Sequence, residues 1–467
     1  MNRRKGQILN NIPAHIFRSY DIRGIAATEL TAEAVYRIAV AFAAMMRASG
    51  ESSVVTACDA RLSADSLYPA LKQGLLASGM AVIDTGQVPT PVLYFATATS
   101  ACHNGIMLTA SHNPKEYNGL KILLQGKNLT SAQIQDLYKA TCEAYTDTDI
   151  RGELTQKNFL PTYIDTIVNQ LTLGKPLKVV IDCANAIPAV VAPTLFRRLG
   201  CEVIELHTEL DGSFPSHEPD PTQPHNLVDL IAAVKANKAD VGLGFDGDGD
   251  RLGVVTSQGE IIYADRILML LAQDVLSRHP GATIVYDIKC SHLLKEAILA
   301  AGGKPLMGKT GHSLIKALMR AENAPLAGEM SGHIFFKENW YGFDDGLYTA
   351  ARLLNLLSHA PDVTTVFSAL PRCYSTPELA VAMAEEKKAS FMQALIVRLK
   401  DEPKGEISLL DGIRIDFDDA WGLVRPSNTT PNLVLRFEGF SEESLARIQS
   451  LFKAQMLAIA PGMDFPF

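Results

Sequence analysis

Phe196-Arg197-Arg198-Leu199-Gly200-Cys201-Glu202-Val203-Ile204 reads as the end of a helix, one glycine, and the start of a strand. The glycine stands where a helix terminus needs a left-handed residue. The same order occurs in Leu75-Leu76-Ala77-Ser78-Gly79-Met80-Ala81-Val82-Ile83 and in Ile298-Leu299-Ala300-Ala301-Gly302-Gly303. Three such junctions, spaced roughly a hundred residues apart, point to three related α/β units.

The surrounding pattern agrees. Short apolar runs at 53–56, 81–83, 178–181 and 283–286 predict strands, and longer periodic stretches at 32–47, 66–78, 227–236, 266–276 and 293–301 predict helices. The last hundred residues differ. A helix is expected over Lys387–Leu399, antiparallel strands over 405–417 and 419–437, and a closing helix over Ser441–Ala458. The expected domains are 1–150, 151–257, 258–369 and 370–467, with the polar segment Thr146–Asn158 as the first linker.

A chain of 467 residues that is 47% hydrophobic can fill several cores and is not disordered. Its 43 Lys and Arg against 51 Asp and Glu give a net charge of −8. With no long basic block, binding to nucleic acid or to an anionic membrane is not expected. No apolar run approaches the roughly 18–20 residues that cross a bilayer; Arg37 interrupts the Ala34–Met46 stretch. The basic start Met1–Gly6 is not followed by an apolar segment, since Asn10, Asn11, Pro13 and His15 break it. Seven scattered cysteines, odd in number and without a CxxC pair, fit reduced thiols in a cytoplasm rather than a disulfide framework or a thiolate zinc site.

Four loops carry chemistry. Thr109-Ala110-Ser111-His112-Asn113-Pro114 follows the apolar Ile106–Leu108, so Ser111 is expected to face outward, as a nucleophile or phosphate carrier or as an ordinary turn residue. It is not a Gly-x-Ser-x-Gly elbow, which disfavours an α/β-hydrolase. Asp246-Gly247-Asp248-Gly249-Asp250-Arg251 lies between two strand-like runs, and its alternating glycines let three carboxylates fold onto one centre. Oxygen ligands select Mg²⁺ or Ca²⁺. The EF-hand pattern fails, because Arg251 and Ser257 stand where it needs Gly and Glu.

Gly328-Glu329-Met330-Ser331-Gly332-His333 joins a carboxylate and a hydroxyl suited to sugar hydroxyls with an imidazole suited to proton transfer; Thr310-Gly311-His312 is a weaker relative. Arg425-Pro426-Ser427-Asn428-Thr429-Thr430-Pro431 offers a guanidinium fork and hydroxyl donors, either as a phosphate cradle or as a polar turn. Together the loops suit a phosphorylated sugar: one holds the distant phosphate, one reads hydroxyls, and one neutralises charge beside a serine that exchanges a phosphoryl group.

In the same order along the chain, these four loops resemble those of the α-D-phosphohexomutases, most closely the bacterial phosphomannomutase/phosphoglucomutase group. The resemblance runs from Phe17–Gly24 to Leu435–Glu438. It implies three αβα-layered domains with mixed sheets and a smaller C-terminal α+β domain around a central cleft. It implies a phosphoserine at Ser111 and one Mg²⁺ per chain held by Asp246, Asp248, Asp250 and that phosphate. Glu329 and Ser331 would contact the sugar 3- and 4-hydroxyls; Arg425, Ser427, Asn428 and Thr429 would hold the phosphate that is not transferred. Tyr20, Arg23, His112, Lys121, Arg251, Lys289, His312 and His333 match positions that line the cleft, with Arg23, Lys121 and His333 assisting proton movement.

The implied reaction interconverts hexose 1- and 6-phosphates of mannose or glucose through a hexose 1,6-bisphosphate, which also serves as activator and is retained by a mobile C-terminal domain. A cytoplasmic monomer or weak homo-oligomer follows. The open alternatives are a phosphoglucosamine mutase, a non-catalytic sugar-phosphate sensor and a metal-dependent phosphatase. One departure stands out: where many relatives carry a Gly-rich turn, this chain reads Ala184-Asn185-Ala186-Ile187-Pro188.

Overall fold

The computed structural model describes residues 5–6, 12–143, 145–146, 151–400, 405–427 and 431–467. They pack as two compact units, Met1–Ile267 with Ser331–Val366 and Leu268–Met330 with Phe367–Phe467. Among the described residues, no helix is long and apolar enough to cross a membrane.

Two mixed sheets make up most of the first unit. In one, the strand Ser53–Cys58 lies between Ala81–Gln87 and Gly105–Leu108, all parallel; Tyr117–Leu124 returns antiparallel beside Gly105–Leu108, and Ile22–Ile25 follows it. In the other, Lys178–Asp182 lies between Glu202–Leu206 and Val241–Phe245, and Leu252–Thr256 returns antiparallel. The central strands are covered on both faces, which is why their sequences are almost unbroken runs of apolar residues. Helices supply the cover. In Ala32–Ala48 the Thr31 hydroxyl accepts from the Ala34 N–H at the N-terminus, and Val35, Ile38, Phe42 and Met46 recur at helical spacing on the buried side.

In the second unit the strand Thr283–Asp287 again lies between its two parallel successors, Lys304–Gly308 and Leu326–Gly328. All three parallel sheets therefore share one order: first strand central, second on one side, third on the other. That reversal of direction is the topological switch of an open α/β sheet, where the loops leaving the carboxyl ends form binding sites. The loops that begin at Thr109, Asp246 and Glu329 all leave the third strand of their sheet at that point.

The first strands share a second feature, an aspartate at the carboxyl end. Asp59 accepts from the Thr109 hydroxyl at 2.7 Å, and Asp287 accepts from the Met330 N–H at 3.0 Å, so each ties down its own sheet's reactive loop. Asp182 is partnered differently, by His207 and His217.

The C-terminal sheet is antiparallel, with Asn432–Gly439 and Ala420–Pro426 at its centre, and is covered by the helices Glu385–Leu399 and Glu442–Ile459. Trp421 lies against Ile288 and Leu423, with the Arg414 guanidinium 3.8 Å from its ring centre. Arg414 donates to the carbonyls of Ile288 and Cys290, and Arg436 donates to that of Lys289. These bonds tie the C-terminal sheet to the strand end that carries Lys289.

Two local expectations change. The segment read as a linker contains the strand Leu154–Gln156, which pairs in parallel with Ala81–Gln87 and extends the first sheet. At the departure noted above, Ala184 and Asn185 adopt left-handed conformations, with φ of 50° and 57°. The turn keeps a glycine-like geometry without glycine, which costs about 1–2 kcal/mol for an alanine.

Candidate active site

Ser111 sits in the left-handed region with φ of 50°. Its hydroxyl donates to Asp246 Oδ2 at 2.6 Å and lies 3.2 Å from His112 Nδ1. The expectation that it faces outward is corrected: Ser111 is only 1% exposed. The cause is the acidic loop, which closes over it so tightly that a Cβ at Gly247 would lie 2.2 Å from the Ser111 carbonyl oxygen. Arg23 braces the serine loop by donating to the Ala110 carbonyl at 2.6 Å and to Asn113 Oδ1 at 2.5 Å, while its Nε pairs with Asp21.

Asp246, Asp248 and Asp250 are all buried, and one oxygen of each lies within 4.8 Å of the others. The alternating glycines permit this turn, Gly249 at φ of +80°. Asp246 Oδ1 accepts from the N–H groups of Gly249 and Arg251. Burial and the charges of Asp250 and Asp248 push the Asp246 carboxyl well above the usual carboxylate range. Asp248 goes the other way: burial opposes ionisation, but the Lys121 ammonium outweighs it and lowers the pKa.

Lys121 reaches Asp248 Oδ2 at 2.5 Å and also bonds Asp250. Burial disfavours its charge, yet the two carboxylates hold its pKa well above that of ordinary lysine. Among the described residues, Asp248 Oδ1 and Asp250 Oδ1 are buried without a hydrogen-bond partner, Asp250 Oδ1 having only the longer 3.4 Å approach of His333 Nδ1. Two orphaned carboxylate oxygens beside a third carboxylate fit a hard divalent cation.

Arg251 donates from Nε to His333 Nε2 at 3.0 Å, which places the His333 proton on Nδ1. That nitrogen faces Asp344 at 3.2 Å and Asp250 at 3.4 Å. Burial, then the positive charges of Arg251 and Arg23, lower the His112 pKa well below the ordinary value, so this imidazole is neutral near pH 7. Tyr20 is half-buried in the bend before Ile22–Ile25. Ser331 is half-buried in a turn. The loop read as one group is divided: Glu329 belongs to the second unit, Ser331 and His333 to the first.

Glu329, Lys289, His312, Arg425 and Ser427 are buried in the second unit. Glu329 accepts from the Gly311 N–H at 2.5 Å, at the start of the helix that His312 begins. Lys289 binds Glu378 at 2.5 Å, and Arg425 Nε binds Asp411 at 2.9 Å. Arg425 Nη2 is buried without a hydrogen-bond partner among the described residues, which suits an anion. Asn428 and Thr429 lie outside the described residues.

Several contributors escape a sequence reading. Arg61 is buried and donates to four carbonyls, those of Ser111, Asn113, Pro114 and Tyr117, while Asp59 holds its Nε. Thr90 donates to Asp248 at 2.5 Å. Asp344, Glu378 and Asp411 supply counter-charge. None belongs to a dense motif; the Asp59–Arg61 spacing at a strand end is the one visible signal.

Four family models match in succession: phosphoglucomutase/phosphomannomutase alpha/beta/alpha domain I over residues 14–147, domain II over 161–259, domain III over 263–374, and the C-terminal domain over 378–455. The chain is 50% identical over 457 residues to a phosphomannomutase/phosphoglucomutase of Pseudomonas aeruginosa, covering 98% of each chain. It is 46% identical to a phosphoglucomutase of Neisseria meningitidis, covering 98% of this chain and 99% of that one. Among solved structures, a phosphoglucomutase/phosphomannomutase family protein from Burkholderia thailandensis matches with a TM-score of 0.92 and 47% identity, over 98% of this chain and 100% of that chain.

Proposed function

The chain belongs to the phosphoglucomutase/phosphomannomutase family, and on that premise we propose that it interconverts the 1- and 6-phosphates of glucose and mannose through Ser111. It is an isomerase of the phosphohexomutase type. In the proposed cycle Ser111 carries a phosphoryl group. The free hydroxyl of the bound hexose monophosphate attacks it, the Ser111 Oγ–P bond breaks, and a hexose 1,6-bisphosphate forms. After the intermediate turns over, its other phosphate transfers to Ser111, and the proton lost from the attacking hydroxyl is returned to the oxygen released.

The observation that carries this reading is the placement of the Ser111 hydroxyl 2.6 Å from Asp246, beside two buried carboxylate oxygens that lack hydrogen-bond partners among the described residues. Mg²⁺, held by Asp246, Asp248 and Asp250 with the Ser111 phosphate, would supply charge neutralisation and polarise the transferring group. The chain's own residues do the rest. Arg61 and Arg23 fix the serine loop. Lys121, kept charged, faces the developing negative charge. His333, with Arg251 on Nε2, keeps its Nδ1 proton toward Asp250 and Asp344. Glu329 and Ser331 read the 3- and 4-hydroxyls; Lys289, Arg425, Ser427, Asn428 and Thr429 take the distant phosphate, with Tyr20, His112 and His312 completing the contacts.

Reading positions 3 and 4 leaves position 2 open, which accommodates both hexoses. The seven cysteines are unpaired, which supports a reducing cytoplasm, and we take the chain to be a monomer or weak homo-oligomer.

The test compares glucose, mannose and glucosamine 1-phosphates by kcat/KM, each with a hexose 1,6-bisphosphate activator, in wild type and Ser111→Ala. Isomer formed from glucose and mannose substrates, and lost in the variant with the circular dichroism spectrum unchanged, is the expected result. A preference for glucosamine 1-phosphate identifies the sister specificity, free phosphate in place of isomer identifies a phosphatase, and full turnover in Ser111→Ala refutes the phosphoserine.

A further inference from the structure

Away from the serine and acidic loops, the second sheet of the first unit carries the strand-end aspartate that is partnered unlike the other two. Asp182 is buried at 1% exposure. Its Oδ1 lies 3.1 Å from His207 Nδ1, and its Oδ2 lies 3.1 Å from His217 Nε2. One donor atom from each of these three residues lies within 4.8 Å of the others. The backbone N–H of Ala184 donates to Oδ1 at 2.9 Å and fixes the carboxylate.

The far nitrogens also face acceptors, at different ranges. His217 Nδ1 lies 2.8 Å from the Glu218 carbonyl, which can only accept, so that nitrogen carries the proton. His207 Nε2 faces Asp229 Oδ2 at 3.6 Å. A neutral imidazole has one N–H, yet His217 has an acceptor within hydrogen-bonding reach of both nitrogens; Asp229 lies beyond that reach of His207 Nε2. With the protons on the far nitrogens, two ring lone pairs and a carboxylate converge on one point. A single divalent cation there, or one additional proton on His217, resolves the arrangement.

We propose that Asp182, His207 and His217 form a second cation site, specific for a divalent transition ion of the Zn²⁺ type. The donor set is two nitrogens and one oxygen, which selects Zn²⁺ or its neighbours over the hard Mg²⁺. Bonds of roughly 2.0–2.1 Å in a tetrahedral centre put neighbouring ligand atoms about 3.3 Å apart, close to the 3.1 Å between each ring nitrogen and the carboxylate oxygen nearest it, Oδ1 for His207 and Oδ2 for His217. The Glu218 carbonyl on the far nitrogen of His217 is the outer-shell arrangement of metal-bound histidine. The histidine side chains are 17% and 15% exposed, which admits the ion and leaves room for water as a fourth ligand. His207 itself is held at φ of 50°, an unfavourable conformation for a non-glycine residue.

The site reaches the acidic loop through covalent continuity. His217 is two residues from Pro219, whose carbonyl accepts from Gly247 N–H at 3.1 Å, inside the Asp246–Asp250 turn. An ion at Asp182 therefore clamps the segment that buttresses the serine-facing loop. It acts as a structural clamp, and the histidines touch neither Ser111 nor the three carboxylates of that loop.

The test is calorimetric titration of Zn²⁺ into the full-length chain with Mg²⁺ in large excess, in wild type, His207→Ala, His217→Ala and Asp248→Asn, with Co²⁺ absorption as a probe of coordination. One Zn²⁺ per chain in wild type and Asp248→Asn, tenfold or more weaker in both histidine variants, with intense visible bands of tetrahedral Co²⁺ in wild type, is the expected outcome. Melting temperature should rise with Zn²⁺ in wild type and not in His207→Ala, whose circular dichroism and Mg²⁺-supported turnover stay near wild type. Absence of saturable Zn²⁺ binding overturns the proposal, and so does binding that survives both histidine substitutions or disappears with Asp248→Asn.

Discussion

The two units gather charge in opposite ways. Around Ser111, three aspartates crowd one point, and the principal cation touching them is Lys121, shared between Asp248 and Asp250. In the second unit the cations Lys289 and Arg425 are buried and held against acids: Glu378, with Asp287 farther off at 3.9 Å, for Lys289 and Asp411 for Arg425. Among the described residues, the first arrangement has excess negative charge and orphaned oxygens, and the second has a guanidinium nitrogen without a hydrogen-bond partner. A net charge of −8 says nothing of either, because the local balance differs in sign between the two regions. One region suits a metal and a phosphoryl group in transfer, the other a phosphate that stays in place.

The strongest way to break that contrast is to remove the cation from the first region. Chelation by EDTA should reduce turnover by on the order of 10³ or more, and added Mg²⁺ should restore it. Asp248→Asn should resist rescue. Rates unchanged in chelator would mean that Lys121 alone neutralises the carboxylates, and the first region would then be an internal ion pair.

Arg425→Ala is the matching blow to the second region. With Nη2 directed at substrate phosphate, KM for hexose 1-phosphate should rise about 30- to 100-fold, equivalent to roughly 2–3 kcal/mol. The Ser111 phosphorylation level should not change. A fall in kcat at constant KM would assign Arg425 to the transfer step instead.

Much of this contrast is legible in the sequence, and its limits are physical. Apolar strands covered on both faces and helix–glycine–strand junctions leave strong local patterns, so the strands at 53–58, 178–182 and 283–287 and their flanking helices lie where the pattern puts them. Asp246-Gly247-Asp248-Gly249-Asp250 is equally plain, because crowded carboxylates need glycines beside them. The strand Leu154–Gln156 is not legible: it is a short edge strand of exposed residues, paired only to Ala81–Gln87. Arg61 is hidden for another reason. Its job is to satisfy carbonyls 50 and more residues away, and hydrogen bonding to backbone places no demand on the partner's sequence. Burial of Ser111 is not legible either, because the loop that packs on it comes from another sheet.

Acid exposure should separate the units by stability. Glu438, fully buried, accepts from Ser291, His292 and Trp421 in the second unit. Burial disfavours its charge, but the bond to His292 and the Arg436 charge lower its pKa to about 2. A depressed carboxyl stabilises the fold above its unfolded value near 4.5 and loses that contribution as pH falls toward 2. Glu438→Gln should therefore cost on the order of 2–3 kcal/mol in urea unfolding at pH 7, and the gap to wild type should narrow steadily between pH 4.5 and pH 2. A gap independent of pH would show that the side chain's shape, not its charge, matters.

The smallest effect concerns Glu378, and it sharpens the contrast most. Its carboxylate is 2.5 Å from the Lys289 ammonium, yet its side chain is 38% exposed while that of Lys289 is 4% exposed. A partly solvated acid on a buried cation is replaceable: a phosphate can take the ammonium, and the acid returns to water at little loss. Glu378 then competes with substrate for Lys289. Glu378→Gln should lower KM by about three- to fivefold with kcat near wild type, a change of roughly 1 kcal/mol. If KM instead rises toward that of Lys289→Ala, the acid orients the lysine, and the second region is organised by fixed ion pairs much as the first is by Lys121. Steady-state kinetics of the two variants, measured at one ionic strength, decides between these.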